Sequence, residues 1–214
     1  MKIFTAFAGV LLTGLVMATP LTKIVAFGDS LSDNGNLYEY MKQQLPVSPP
    51  YYHGRFSNGP MWVELLCESY YPGDAKAHLQ DFAFGGAGVL GEGEIPDESI
   101  FTLQSEIDSY LLANKDKADE ESMYTVWIGA NNYLAMPDDP DVAVARVISG
   151  IKSSLIKLVS KGAKHILVVN IPDLGRTPIA REFDATSFLT TCSIKHNEAL
   201  AEEIETLKNQ YPDV

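Results

Sequence analysis

The chain has 214 residues, of which 46% are hydrophobic and 21% charged. That balance excludes disordered, collagenous and coiled-coil chains and fits one domain of roughly 100–200 residues with a sizeable core. Basic residues number 16 and acidic residues 28, a formal net charge of −12. No basic block exceeds two residues, so nucleic-acid binding is not expected.

The first element in chain order reads as a targeting segment. Lys2 gives a short positive region, residues 3–16 are mostly apolar, and Val16-Met17-Ala18 offers small residues where a signal peptidase cuts. The expected division is a cleaved signal peptide over 1–18 and one domain over 19–214, exported and without a transmembrane segment in its mature form. The run is too short for a comfortable membrane span, which needs about 20 apolar residues. Next, Lys23 to Phe27 is a short β-rich run ended by Gly28-Asp29-Ser30. Residues 61–70 carry a helical apolar stripe, and Leu79 to Phe84 is a second strand candidate that stops at Gly85-Gly86. Ile100, Leu103, Ile107 and Leu111 mark a helix, and Tyr124 to Ile128 a strand ending at Gly129. Val142 to Val159 is helical in period and closes on Lys161-Gly162, a cation followed by a C-cap glycine. Ile166 to Val169 is a fourth strand, and Ile194, Leu200, Ile204 and Leu207 line a last helix.

Strands alternating with helices predict an α/β fold with a parallel sheet covered on both faces. In such sheets, sites gather beyond the carboxyl ends of the strands. Here those ends are Gly28-Asp29-Ser30, Gly85-Gly86, Gly129-Ala130-Asn131-Asn132 and Asn170-Ile171-Pro172-Asp173. Glycine lets the backbone approach a ligand closely, while serine and asparagine bring a hydroxyl and an amide. Each tripeptide alone is a common turn; their joint placement on one rim is the signal.

Phe27-Gly28-Asp29-Ser30-Leu31-Ser32-Asp33 resembles the first signature block of the GDSL (SGNH) hydrolases. Phe82-Ala83-Phe84-Gly85-Gly86-Ala87 is similar to the second block and Gly129-Ala130-Asn131-Asn132 to the third. Gly54 to Pro60 and Ile171 to Gly175 resemble segments of the branch that contains bacterial secreted lysophospholipases and phospholipid:sterol acyltransferases. The resemblance runs from about Thr22 to the C-terminus. It implies a three-layer α/β/α sandwich with a mostly parallel sheet, strand order 2-1-3-4-5, of which the fifth strand is missing from this sequence. It also implies a carboxylic ester hydrolase acting on a lipid acyl ester through an acyl-enzyme. Ser30 would be the nucleophile. The oxyanion hole would comprise the Ser30 N–H, a backbone N–H of the glycine pair, for which Gly85 is chosen as the residue directly after the strand, and the Asn131 amide. Asn132 stands where the family usually has Asp. Asp29 and Asp33 are expected to brace the turn, and Arg55, Ser57 and Asn58 to be structural residues of a rim loop.

A seryl nucleophile needs an imidazole to take its proton and a carboxylate to orient that imidazole. The family draws both from a D-x-x-H block, and no Asp in this sequence has His three residues later. His165 and His78 precede strands, on the rim opposite the site. His196 falls in a helix as a surface or interhelix residue. His53 has no evident carboxylate partner. Two readings follow: a longer enzyme represented in part, or a non-catalytic derivative that binds acyl lipids or partners. No cofactor and no metal site is expected, because the histidines are scattered and there is no C-x-x-C. Cys67 and Cys192 either pair in an oxidising compartment or stay as buried thiols. The oligomeric state is left open.

Overall fold

Ile24-Val25-Ala26-Phe27 is apolar at every position, which suits a strand covered on both sides rather than one with a wet face. The computed structural model describes residues 21–90 and 101–214, so the expected leader over 1–18 and the helix residue Ile100 lie outside the described residues. In chain order the elements are β1 (Ile24–Gly28), α1 (Asn36–Tyr40), α2 (Trp62–Tyr70), α3 (Ala75–His78), β2 (Leu79–Asp81), α4 (Leu103–Ala113) and β3 (Met123–Trp127). There follow α5 (Ala130–Leu134), α6 (Pro140–Ser160), β4 (His165–Val168), a 3₁₀ turn (Leu174–Arg176), α7 (Pro178–Glu182) and α8 (Thr186–Gln210).

The described strands are parallel and lie in the order β2-β1-β3-β4, with Ile24 opposite both Leu79 and Met123. Alternate residues of the fully buried β1 feed two cores. Val25 and Phe27 pack with Leu103 and Ile107 of α4, Val147 and Ile151 of α6, and Leu189 and Leu200 of α8. Ile24 and Ala26 pack with Met61, Val63 and Cys67 around α2. Helices therefore cover both faces, giving the three-layer α/β/α architecture. The two cores also separate the cysteines: Cys67 and Cys192 are buried free thiols on opposite sides of the sheet. The disulfide reading is thereby overturned.

The long helices start where their caps dictate. Thr102 Oγ1 accepts the Ser105 N–H while Ser105 Oγ accepts the Thr102 N–H, a reciprocal box that opens α4. Asp139 Oδ1 accepts the N–H groups of Asp141 and Val142, and Pro140 fills the first helical position of α6. Most boundaries fall within two residues of the sequence expectation, and two differ by more. β2 ends at Asp81 rather than Phe84, because Asp81 Oδ1 turns back to accept the Ala83 N–H and Asn36 Nδ2 donates to the Asp81 and Ala83 carbonyls. The last helix begins eight residues earlier than its apolar stripe, at Thr186. On its outer side β4 lies beside a 260 Å³ apolar groove lined by Leu155 and Val159 of α6 and Ile204 and Leu207 of α8.

One glycine locks helix to loop. A Cβ at Gly150, in the middle of α6, would stand 1.9 Å from the Leu90 carbonyl oxygen and 2.6 Å from a Val89 methyl. Alanine is worth about 1 kcal/mol over glycine in a helix interior, but overpacking against backbone costs about 1–3 kcal/mol or more. Gly150→Ala is therefore expected to lower stability, against its helix propensity, and a thermal melt several degrees below the parent checks it.

Candidate active site

The rim at the carboxyl ends of the strands is built on a close approach. β1 and β3 run side by side to Gly28 and Trp127, and a Cβ on Gly28 would lie 2.4 Å from the Trp127 carbonyl oxygen. Only glycine fits there. Past it the chain folds over at once: the Asp29 carbonyl accepts the N–H groups of Ser32 and Asp33 at 2.9 and 3.0 Å, and Asp29 Oδ1 accepts the Leu31 N–H. This tight turn pushes Ser30 outward. Ser30 is half-buried, and neither its N–H nor its hydroxyl is engaged by another described residue. Behind the turn the Trp62 indole donates to Ser32 Oγ at 3.1 Å, and its ring meets Trp127 edge-on at 5.6 Å.

Asp33 ties this turn to its neighbours. Its Oδ1 accepts from the N–H groups of Gly35 and Asn36, and its Oδ2 from those of Leu37 and Gly85. One buried carboxylate thus holds the start of α1 and the glycine pair after β2. Bracing is the role expected of Asp33, and the hydrogen bonds account for it. The bond to Gly85, at 2.8 Å, occupies the very N–H assigned to the oxyanion hole. The Gly86 N–H, by contrast, has no acceptor among the described residues, and Gly86 (φ +85°) has open space on its Cβ side.

The third strand supplies the amides. Gly129 (φ +117°) turns the chain from β3 into α5, whose second and third residues are Asn131 and Asn132. Asn131 Nδ2 donates to the Ala87 carbonyl at 2.8 Å, which orients the amide nitrogen and leaves its second hydrogen uncommitted. Asn132 clamps the adjoining segment: Oδ1 accepts the Val89 N–H at 2.9 Å and Nδ2 donates to the Val89 carbonyl at 2.8 Å. A carboxylate can make only the first of these bonds, and it sets a charge against the carbonyl. Asn132→Asp is expected to cost about 1–2 kcal/mol in a denaturant titration, although the family usually places Asp here.

Ser30, Gly85, Gly86 and Asn131 line a single cleft of 590 Å³, whose other walls are Leu37, Tyr40, Met41, Leu45, Phe56 and Phe101. The structure therefore brings the serine and the candidate donors together beside an apolar wall. It does not bring an imidazole. His78 bonds the Thr22 carbonyl and Asp74 at the opposite rim, and His165 opens β4. His53 lines a neighbouring cavity without Ser30. His196 is buried between helices: its Nδ1 is 2.8 Å from the Tyr133 hydroxyl, and burial pushes its pKa down to about 4. Arg55 holds Glu64 through two nitrogens and the His53 carbonyl through a third, a structural bracket for the loop.

Beneath the turn lies an acidic cluster, of which the sequence motif marks only Asp29. Glu106 Oε2 accepts the Gly28 N–H at 2.9 Å, while Oε1 is buried without a hydrogen-bond partner. Burial, reinforced by the Asp81 and Asp29 charges, pushes the Glu106 carboxyl well above the usual range. Burial also raises Asp29 to about 6 and Asp81 to about 8. A signal was present: position 106 lies three residues after Leu103 and four before Tyr110, on the buried face of α4, where a charge is out of pattern.

A model of the family described as GDSL-like lipase/acylhydrolase matches residues 24–214. The chain is 38% identical to a phosphatidylcholine-sterol acyltransferase of Aeromonas hydrophila over 84% of its own length and 53% of that protein. It is 31% identical to the secreted effector protein SseJ of Salmonella typhimurium over 90% of this chain and 45% of that one. With a thermolabile hemolysin of Vibrio parahaemolyticus it shares 27% identity over 74% of this chain and 35% of the relative. The chain thus spans about half or less of the length of these curated relatives. With a family match that begins at the first residue of β1 and includes all three rim segments, the chain belongs to the GDSL-like lipase/acylhydrolase family, a family of serine esterases and lipases.

Proposed function

We propose that this chain carries the acyl-binding and oxyanion-stabilising half of a lipid ester hydrolase or acyltransferase, with Ser30 as the nucleophile. The observation that supports this most is the shared cleft: a serine at the end of β1, unpartnered among the described residues, lines it together with Asn131 from the end of β3 and the glycine pair after β2. Ser30 Oγ attacks the ester carbonyl, the alkoxide leaves with a proton, and water or another alcohol then releases the acyl group. The negative oxygen formed in between is held by the N–H groups of Ser30 and Gly86 and the Asn131 amide. Gly86 takes the place first assigned to Gly85 because the Gly85 N–H is donated to Asp33. The apolar walls Leu37, Met41, Phe56 and Phe101 suit an acyl chain.

Among the described residues no imidazole stands at Ser30, so on this reading proton removal is the weak step and the activity of this chain is impaired. Oxyanion stabilisation and binding alone leave about 10³–10⁴ over water. Export through the 1–18 leader is part of the same reading, in keeping with a relative that is named a secreted effector. The test is covalent capture by a fluorophosphonate with imidazole added to the buffer as an external base. Imidazole-dependent modification that peptide mapping places on Ser30 supports the assignment, and modification spread over other serines, or none at all, removes it. The same experiment separates this reading from a non-catalytic acyl-binding protein, which binds lipid without capture.

A further inference from the structure

We propose that the segment from Tyr40 to Tyr51 is an interfacial docking surface that seats the Ser30 cleft on a zwitterionic lipid surface. The inference rests on the lipid-ester reading for the identity of the partner, and it adds where and how that partner is met.

Among the described residues, large apolar side chains exposed to solvent occur mostly one at a time, as at Leu65, Leu112 and Val142. Between residues 40 and 51 there are five: Tyr40 (64% exposed), Met41, Leu45, Val47 (62% exposed) and Tyr51. Scattered exposed apolar residues need no explanation, but a cluster of them marks a contact surface. Three of the five, Tyr40, Met41 and Leu45, are also walls of the cleft that holds Ser30. Tyr51 packs edge-on against Phe56, a fourth wall, at 5.7 Å, and its N–H donates to the Val47 carbonyl. The patch is therefore the outward continuation of the cleft mouth.

The patch is also held in place rather than loosely draped. The Tyr40 ring stands edge-on to Phe84 and Phe101 at 5.8 and 5.1 Å. Ser48 Oγ donates to the Tyr51 carbonyl. Pro46, Pro49 and Pro50 remove three N–H donors from a segment without a strand partner. Rings fixed before contact lose little freedom on insertion, and tyrosine suits a water–lipid boundary because one end is apolar and the other wet.

Charge selects the surface. Lys42 within the segment and Glu39 just before it leave it nearly balanced, whereas the chain as a whole carries −12. A body of that charge is repelled by an anionic leaflet. Attraction must come from apolar insertion into a surface of no net charge, such as phosphatidylcholine. Among the described residues no helix is long and apolar enough to cross a membrane.

The experiment is co-sedimentation of the full chain with phosphatidylcholine vesicles, over a lipid titration. The double variant Val47→Asp, Tyr51→Asp is expected to need at least about tenfold more lipid for half-partition, since two apolar anchors are replaced by charges that stay in water. Leu112→Asp, at an 85% exposed site on α4, should partition like the parent. Circular dichroism and the melting temperature confirm that each variant is folded. Failure of the parent to partition, equal partition of parent and double variant, or preference for phosphatidylglycerol vesicles would each overturn the proposal. So would a parent that dimerises through this patch and ignores lipid. Ser30→Ala should bind vesicles normally, so loss of the nucleophile assignment and loss of the docking surface are read separately.

Discussion

Asn131→Ala is expected to slow ester turnover by this chain about 10²–10³-fold, the usual worth of one preorganised oxyanion donor. Ser30→Ala should behave quite differently. It abolishes covalent capture by a fluorophosphonate, yet it should lower the basal turnover of this chain only slightly. The reason is that nucleophile and base act as a unit, so once one is lacking the loss of the other costs little more. None of the four histidines lines the Ser30 cleft, so the basal rate rests on the donors and on acyl binding. Added imidazole should reverse the order, making turnover depend strongly on Ser30. Hydrolysis of a p-nitrophenyl ester by the two variants, with and without imidazole, tests this. A basal rate that is indifferent to Asn131 would remove the amide from the oxyanion site.

The second large effect concerns stability against pH. Glu106, Asp29 and Asp81 all have carboxyls raised by burial, Asp29 to about 6 and Asp81 to about 8. In the unfolded chain such groups titrate near 4. Between about pH 4 and the folded values the native state therefore binds more protons than the unfolded state. Their contribution is fully present below about pH 4 and is lost as pH rises through 6 and 8. Each proton of difference is worth about 1.4 kcal/mol per pH unit. The melting temperature is thus expected to fall from pH 5 to pH 9. Glu106→Gln keeps an acceptor for the Gly28 N–H and removes the titration, so it should resemble the parent at pH 5 and surpass it at pH 9. Glu106→Ala leaves that N–H unpaired beside a cavity and should cost about 2–4 kcal/mol at pH 5, a cost that shrinks as pH rises because this variant also lacks the titration. Parallel pH profiles for parent and Glu106→Gln would show that Glu106 is ionised in the native state.

The elements most legible in the sequence are those whose own residues decide them. β1 and β3 are short apolar runs ended by glycine, and α6 carries its stripe and its caps within itself. α1 and α5 were not legible, because each is a single turn stabilised from far away. The Asp33 carboxylate collects three N–H groups at the start of α1, and Asn131 and Asn132 moor α5 to residues 87–89. The site divides in the same way. Strand ends told where Ser30 and Asn131 would lie, and the structure places them in one cleft. The choice between Gly85 and Gly86 depends on which way a peptide N–H points, and that direction is set by Asp33, 52 residues earlier. The separation of Cys67 from Cys192 by the sheet is likewise a property of topology, which spacing along the chain does not reveal.

The indoles of Trp62 and Trp127 are the only two in the chain, and they touch each other behind the Ser30 turn. Tryptophan emission, excited at wavelengths where the ten tyrosines do not absorb, consequently has a single address. A denaturation curve followed by fluorescence reports the loosening of that corner, where one indole holds Ser32 and the carbonyl of the other presses on Gly28. The α4–α6–α8 core carries tyrosines but no indole, so it is silent at wavelengths that excite tryptophan alone. A fluorescence midpoint that precedes the far-ultraviolet one would therefore mean that the serine turn opens while the helices are still intact.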